Sequence, residues 1–450
     1  MEKLHEYFLD IEKEAKKDGA EVELVSSQSE SFSANYMKGA LNKYSFDHSA
    51  TVGVRVLFGR GAGFSTTEKI SNEALKETYK EALQSAKDLD KEAPKEKSPQ
   101  KLYRGSRQMP AMNLFNSEIE KVQISEKLKS AETLERAALS HDPRIQTVPW
   151  SNYSESKSAR TLLNSSGLNL SVEAGGISAY VYALAKNGED LKGGYSSGFY
   201  RGPKNFHAER MAQDAAKRSL GLLGAIQPKS GKYPIVFLNE VAGELISFLN
   251  YHLSAKNLDE GTSLLANKTG EKIFSEQITI TDDPLRAELM GARPFDSEGA
   301  ASLKTVTIEN GILKSYLSNS YLAEKLAIPH TANASRLGGE MGVSPSNTVI
   351  SAGNFSFEEL LSSYQQVILI TSVDALHTGF KENTLDFSLP AYGYLYENGE
   401  IVKSLHQMVV SGNLLNLLKE VEKVSRRYSF DGGSVLCPDV LFPEISIAGA

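Results

Sequence analysis

The stretch Ile235-Val236-Phe237-Leu238-Asn239-Glu240-Val241-Ala242-Gly243-Glu244 changes its hydrophobic period partway through. Tyr233 to Leu238 is a short, nearly continuous apolar run, the pattern of a buried strand. From Glu240 the spacing turns helical, which predicts a helix to about Ser254. Glu240 and Glu244 then share one helix face. Like charges at that spacing are mildly destabilising unless a helix N-terminus or a cation offsets them. The pair reads either as a solvated first turn or as an acidic pocket, and spacing alone leaves both open.

Upstream of this junction, helices and strands mix. Leu4, Tyr7, Phe8, Ile11 and Ala15 mark one face of an N-terminal helix. Extended runs are expected at Glu21–Val25, Phe32–Tyr44 and Ala50–Phe58, and the glycines at 59, 61 and 63 turn the last into a strand through Thr66. Ser71 caps a helix to about Asp90. Lys91 to Arg107, rich in Lys, Glu, Pro and Ser, reads as a solvated connector. A helix is predicted from Ser117 to Ser140, then strands at Ile145–Ser158, Thr161–Leu163 and Leu168–Leu184, and a helix from Asn205 to Leu223. The pattern changes at Pro228–Lys232. Beyond it, Glu309-Asn310-Gly311 and Glu397-Asn398-Gly399 signal hairpins. Val367–Ile370 and Ile445–Ile447 read as strands, and Asn413 to Val424 as a helix. The fold class is α+β in two domains: a mixed, sandwich-like one over residues 1–225 and a β-rich, barrel- or sandwich-like one over 232–450.

The 450 residues carry 49 Lys and Arg against 56 Asp and Glu, a net charge of −7. Phosphate-backbone binding needs a concentrated positive field, so nucleic acid is not an expected partner. No apolar stretch approaches the roughly 18 residues of a membrane span, and none suits a signal peptide. The single cysteine, Cys437, cannot close an intrachain disulfide. A cytoplasmic setting is expected.

Other motifs weaken on inspection. Gly194-Tyr195-Ser196-Ser197-Gly198 has the G-x-S-x-G spacing, but Phe199-Tyr200-Arg201-Gly202-Pro203 follows it where a nucleophile elbow needs a helix. It reads as a loop. The glycines at 59–63 lie between strands and cannot meet a pyrophosphate with a helix N-terminus. Gly231-Lys232 precedes tyrosine, so there is no Walker loop. No two of the eight histidines are four residues apart, which excludes an H-E-x-x-H helix.

Several segments, in order, resemble the TldD/TldE family, the second also called PmbA, with the older label "modulator of DNA gyrase". They include Thr51-Val52-Gly53-Val54-Arg55-Val56, Leu163-Asn164-Ser165-Ser166-Gly167, the 235–244 junction, Ile280-Thr281-Asp282-Asp283-Pro284, Pro294-Phe295-Asp296-Ser297-Glu298-Gly299, Asp386-Phe387-Ser388 and Ile447-Ala448-Gly449. In TldD-type members the junction resembles a metallopeptidase site, His-Glu-x-x-x-His, with a later cysteine completing a zinc centre. Laid on this chain, the two histidines fall on Asn239 and Glu244 and the glutamate on Glu240. A neutral amide is a poor zinc ligand, and one carboxylate holds the ion weakly. Cys437 lies only six positions before Pro443, nearer the final strand than a ligand cysteine is expected, so that role is not carried over.

The resemblance therefore implies a TldE/PmbA-type subunit without catalytic, cofactor or metal residues of its own, Asn239, Glu240 and Glu244 being a degenerate site. It implies zinc in a TldD-type partner chain and an extended peptide as substrate, with no membrane or nucleic-acid partner. Strand edges suit such peptides, because backbone hydrogen bonds tolerate many sequences. Any gyrase link then runs through a peptide inhibitor. Two alternatives stand beside this. One is a peptidase in its own right, using Glu240, Glu244, Asp296, Glu298 or the Asp282-Asp283 pair. The other is a homodimeric peptide-binding or regulatory protein.

Overall fold

A computed structural model describes residues 2–94, 99–105, 108–337, 340–428 and 432–450. Six antiparallel strands form one sheet before residue 201: β1 (Glu21–Met37), β2 (Ala40–Phe58), β3 (Gly61–Thr67), β4 (Ile145–Asn164), β5 (Asn169–Asn187) and β6 (Asp190–Tyr200), in the order β3-β2-β1-β4-β5-β6. These strands outrun the sequence expectation. Glu21–Val25 and Phe32–Tyr44 belong to one hairpin whose turn is Lys38-Gly39, at φ of 56° and 76°. Ser26 to Ser33 shows no apolar alternation of its own. It is extended because β2 and β4 bond it on both sides.

Helices cover one face of the sheet. Val22, Leu24, Val52, Val54 and Val56 pack on α1 (Glu2–Asp18) and α2 (Asn72–Glu92), whose N-cap Ser71 accepts from the Ala74 amide. The predicted helix at 117–140 breaks at Val122-Gln123 into α3 (Glu118–Lys121) and α4 (Ile124–Leu139). With α5 (Ala208–Gly221), α4 covers Phe32, Tyr153, Ile177, Ala179 and Val181. The connector is only partly solvated where it is described. Leu102 is buried, and the Tyr103 carbonyl accepts from Asn164 Nδ2 at 2.8 Å; residues 95–98 and 106–107 lie outside the described residues.

After residue 230 the chain builds a closed ring. β7 (Gly231–Phe237) pairs in parallel with the strand Gln366–Val373 and antiparallel with Pro438–Ala448. That last strand pairs with Glu400–Asn413, which pairs with Asp386–Glu397, and Asp386–Glu397 returns to Gln366–Val373. A second, five-stranded sheet lies beside this barrel. Asn310 and Asn398, at φ of 47° and 50°, make the two predicted hairpin turns with the glycines that follow. The helix expected at Glu240–Ser254 comes in two pieces, α6 (Asn239–Ser247) and, after Phe248, a helix at Leu249–Leu253, with a further short helix at Ala255–Asp259 beyond the extended Ser254. Only Leu414–Lys419 of the late segment is helical, and Lys423–Tyr428 pairs with Pro438–Ala448 as a strand.

Candidate functional site

β7 ends against the barrel interior, and the chain turns at Leu238, whose amide donates to the Ile370 carbonyl at 3.0 Å. Leu238 supplies no side-chain cap to α6. Asp439 does so from the neighbouring strand: its Oδ1 accepts from the Asn239 amide at 3.0 Å, and its Oδ2 accepts from Ser425 Oγ at 3.1 Å. Burial raises the Asp439 carboxyl above its ordinary range, against these hydrogen bonds. No sequence pattern points to Asp439, because it reaches the junction only through long-range pairing of its strand with β7.

A cavity of about 270 Å³ opens beside this turn. Asn239, Glu240 and Glu244 line it, as their helical spacing predicts, and contributions from three other parts of the chain join them. The first is Arg218 from α5. Its Nη1 and Nη2 donate to the two Glu240 carboxylate oxygens at 2.7 and 2.6 Å, a bidentate pair.

The second is Cys437. Its nearness to the final strand is what brings it here: that strand runs antiparallel to β7 with Val440 opposite Phe237, so the residue before it falls at the β7–α6 turn. A Cβ on Gly243 would lie 3.3 Å from Cys437 Cβ. The thiol is 3% exposed, and burial, with Asp439 adding to it, holds its pKa well above the ordinary value.

The third contribution is Tyr195 and Ser197. The Gly194–Gly198 stretch is not a loop but part of β6, paired with β5 throughout. Gly194 permits close contact with α5, since a Cβ there would meet the Ala215 carbonyl at 2.3 Å. Ser196 therefore sits mid-strand, where no nucleophile elbow can form.

These donors do not fit a zinc ion. Metal-binding cysteine is a thiolate, which burial and the neighbouring Asp439 disfavour at Cys437. The Glu240 carboxylate is already occupied by a cation. Asn239 offers an amide, and its backbone N–H is committed to Asp439. Among the described residues, the one group of three metal-competent side chains lies elsewhere, at Asp296, Glu298 and His330.

That group is spent on internal bonds. Asp296 accepts from the Glu298, Ala300 and Ala334 amides, and Glu298 accepts from the Ser320 amide, Ser320 Oγ and His330 Nε2. Burial and the neighbouring Glu298 push Asp296 up to about 6. Burial disfavours the His330 cation, yet the Glu298 hydrogen bond and the two carboxylates leave its pKa raised. Asp282 is likewise internal: it takes the Ser346 amide and hydroxyl and Asn333 Nδ2. Of the acids considered for an independent peptidase, these are structural supports. Asp283 lies outside the cavity, its carbonyl accepting from Asn347 Nδ2.

Three family profiles match: PmbA/TldA metallopeptidase domain 1 at residues 22–86, the central domain at 117–223 and the C-terminal domain at 230–449. The metalloprotease PmbA of Escherichia coli O157:H7 is 26% identical over 435 residues, 96% of this chain and 93% of the relative. A metalloprotease of Methanocaldococcus jannaschii is 28% identical over 406 residues, 88% of this chain and 87% of that one. A Thermotoga maritima structure, titled a putative modulator of a DNA gyrase, superposes with a TM-score of 0.91 at 27% identity, covering 99% of this chain and all of its own. TldE from Thermococcus kodakarensis, at 23% identity and TM-score 0.89, covers 98% of this chain and shares its fold. With its strand–helix junction, its barrel and its full-length likeness to these proteins, the chain belongs to the PmbA/TldD metallopeptidase family.

Proposed function

We propose that this chain is the TldE/PmbA-type, non-catalytic member of a two-chain peptidase, working in the cytoplasm beside a zinc-bearing TldD-type chain. One observation carries the reading: Arg218 grips Glu240 with both terminal nitrogens at the position where the resemblance places the catalytic glutamate. Both carboxylate oxygens that a general base would turn toward water are engaged by the guanidinium. Asn239 and Glu244 in place of imidazoles support the same conclusion. The cavity keeps features useful for handling a peptide, with Tyr195 and Ser197 on β6, the last strand of its sheet.

The test is to purify the chain alone and together with a TldD-type chain, then assay an unstructured peptide and measure bound zinc. The expected result is cleavage only in the mixture, with zinc in the partner. Stoichiometric zinc and cleavage by the lone chain would overturn the reading.

A further inference from the structure

A second cavity, of about 330 Å³, lies between the β1–β2 hairpin, β4 and the α3–α4 segment, and shares no residue with the one beside α6. Its polarity changes with depth. At the bottom the side chains of Lys127 and Glu155, only 11% and 6% exposed, bond to one another. Tyr153 donates to the second Glu155 oxygen, so this carboxylate is fully engaged. Lys127 is not. Its Nζ carries three protons and gives one to Glu155, and among the described residues no acceptor meets the other two.

The walls above it are apolar. Ile119 and Phe32 are buried and Phe115 is half-buried. Phe46 packs on Phe32 with ring centroids 4.9 Å apart, yet stays 59% exposed. The rim is acidic. Glu30 and Asp47 stand there exposed, and Asp47 has no cationic partner among the described residues. Lys157 is held by Glu120 at 2.7 Å and lies over the Phe115 ring, while His48 is 3.8 Å from Glu30. Over the whole cavity four carboxylates face two lysines.

Small-molecule sites of this size join apolar walls to a few convergent polar groups. Here the unused donors at the bottom call for an acceptor, the phenyl walls for a ring, and the rim for a cation. We infer that the cavity binds an arylalkylamine whose ring carries a hydrogen-bond acceptor at the end remote from the nitrogen, a para-hydroxyl being the simplest. The hydroxyl oxygen accepts from Lys127, the ring packs on Phe46 and Phe115, and the ammonium meets Glu30 and Asp47. An N-terminal tyrosine of a peptide carries the same chemistry as a free amine. A carboxylate at the amine position would face the rim acids, so the site selects against aromatic acids.

Calorimetric titration of the whole chain with tyramine tests this. Tyramine is expected to bind roughly tenfold more tightly than phenethylamine, which lacks the hydroxyl. It should bind about threefold more tightly than para-cresol, which lacks the ammonium, because the rim is exposed. Para-hydroxyphenylacetate should bind weakest. Lys127→Met should lower tyramine to the level of phenethylamine, with circular dichroism confirming the fold, since Glu155 loses its cation. Phe46→Ala, at an exposed position, should weaken tyramine and phenethylamine alike by about fivefold. The tripeptide Tyr-Gly-Gly separates the two sources: tighter binding than tyramine assigns the site to a peptide N-terminus, weaker binding to a free amine, and either order upholds it. No binding of tyramine at millimolar concentration, equal affinity for tyramine and phenethylamine, a preference for para-hydroxyphenylacetate, or wild-type affinity in Phe46→Ala overturns the inference. The readout is ligand affinity of the lone chain, so its failure is separate from any failure over zinc or cleavage.

Discussion

Replacing Asn239 and Glu244 with histidine restores imidazoles to the junction, but the double variant should still bind zinc poorly while Arg218 remains. With Glu240 as the base facing a metal-bound water, the ion would stand roughly 7 Å from the guanidinium that now holds that carboxylate. With an effective dielectric near 20, a divalent charge at that distance is opposed by about 5 kcal/mol. The Arg218 and Glu240 side chains are 40% and 30% exposed, so solvent screening cuts the penalty to about 2–3 kcal/mol. That corresponds to a thirty- to hundredfold loss of affinity. Adding Arg218→Ala to the two histidines should recover this factor. Zinc titration against a competing chelator measures it, with circular dichroism confirming that each variant folds. If the double and triple variants bind zinc equally, Arg218 is not what excludes the ion.

Other substitutions probe the supports around the cavity. Asp439→Ala removes the cap of α6 and leaves the Asn239 amide buried without a partner, and should cost about 1–3 kcal/mol in denaturant unfolding. Arg201 donates to the carbonyls of Leu114, Gly175, Ala287 and Leu289. Arg201→Met leaves the Gly175 and Ala287 carbonyls without this donor, while Leu114 and Leu289 keep the Gly175 and Ala292 amides, and should cost about 2–3 kcal/mol, lowering the melting temperature. His330 has a raised pKa in the folded chain, so its contribution to stability is full below an unfolded pKa near 6.5 and fades as pH rises through the folded value. The stability difference between wild type and His330→Gln should therefore shrink from pH 6 to pH 8, and a constant difference would contradict the His330–Glu298 assignment. Asp296, also raised, is expected to contribute in the same sense at lower pH, its proton-linked stability being lost between about 4 and 6.

What the sequence reveals follows from where the information is local. The strand–helix junction is legible because the apolar period changes within ten residues. Both Asn-Gly hairpins are legible because their turns demand positive φ. Ser26–Ser33 and Gly193–Gly198 hide their strands, since serine and glycine carry no hydrophobic alternation and the extended state comes from neighbours on both sides. The candidate site shows the same division. Asn239, Glu240 and Glu244 lie on one helix and can be placed together from spacing. Arg218 is 22 residues away on another helix, and Cys437 and Asp439 arrive through the pairing of Pro438–Ala448 with β7. The helix after β7 is legible as far as Leu253 because its apolar residues continue at helical spacing, and it ends where Ser254 turns extended and its neighbour Ala255 bonds the Leu317 carbonyl.

Zinc content decides the main question. The purified chain, equilibrated with a small excess of zinc and passed through a desalting column, should carry far less than one ion per chain, and Glu240→Gln should leave that figure unchanged. One tightly held ion per chain would show that the junction holds a metal despite Arg218 and that this chain is a peptidase centre after all.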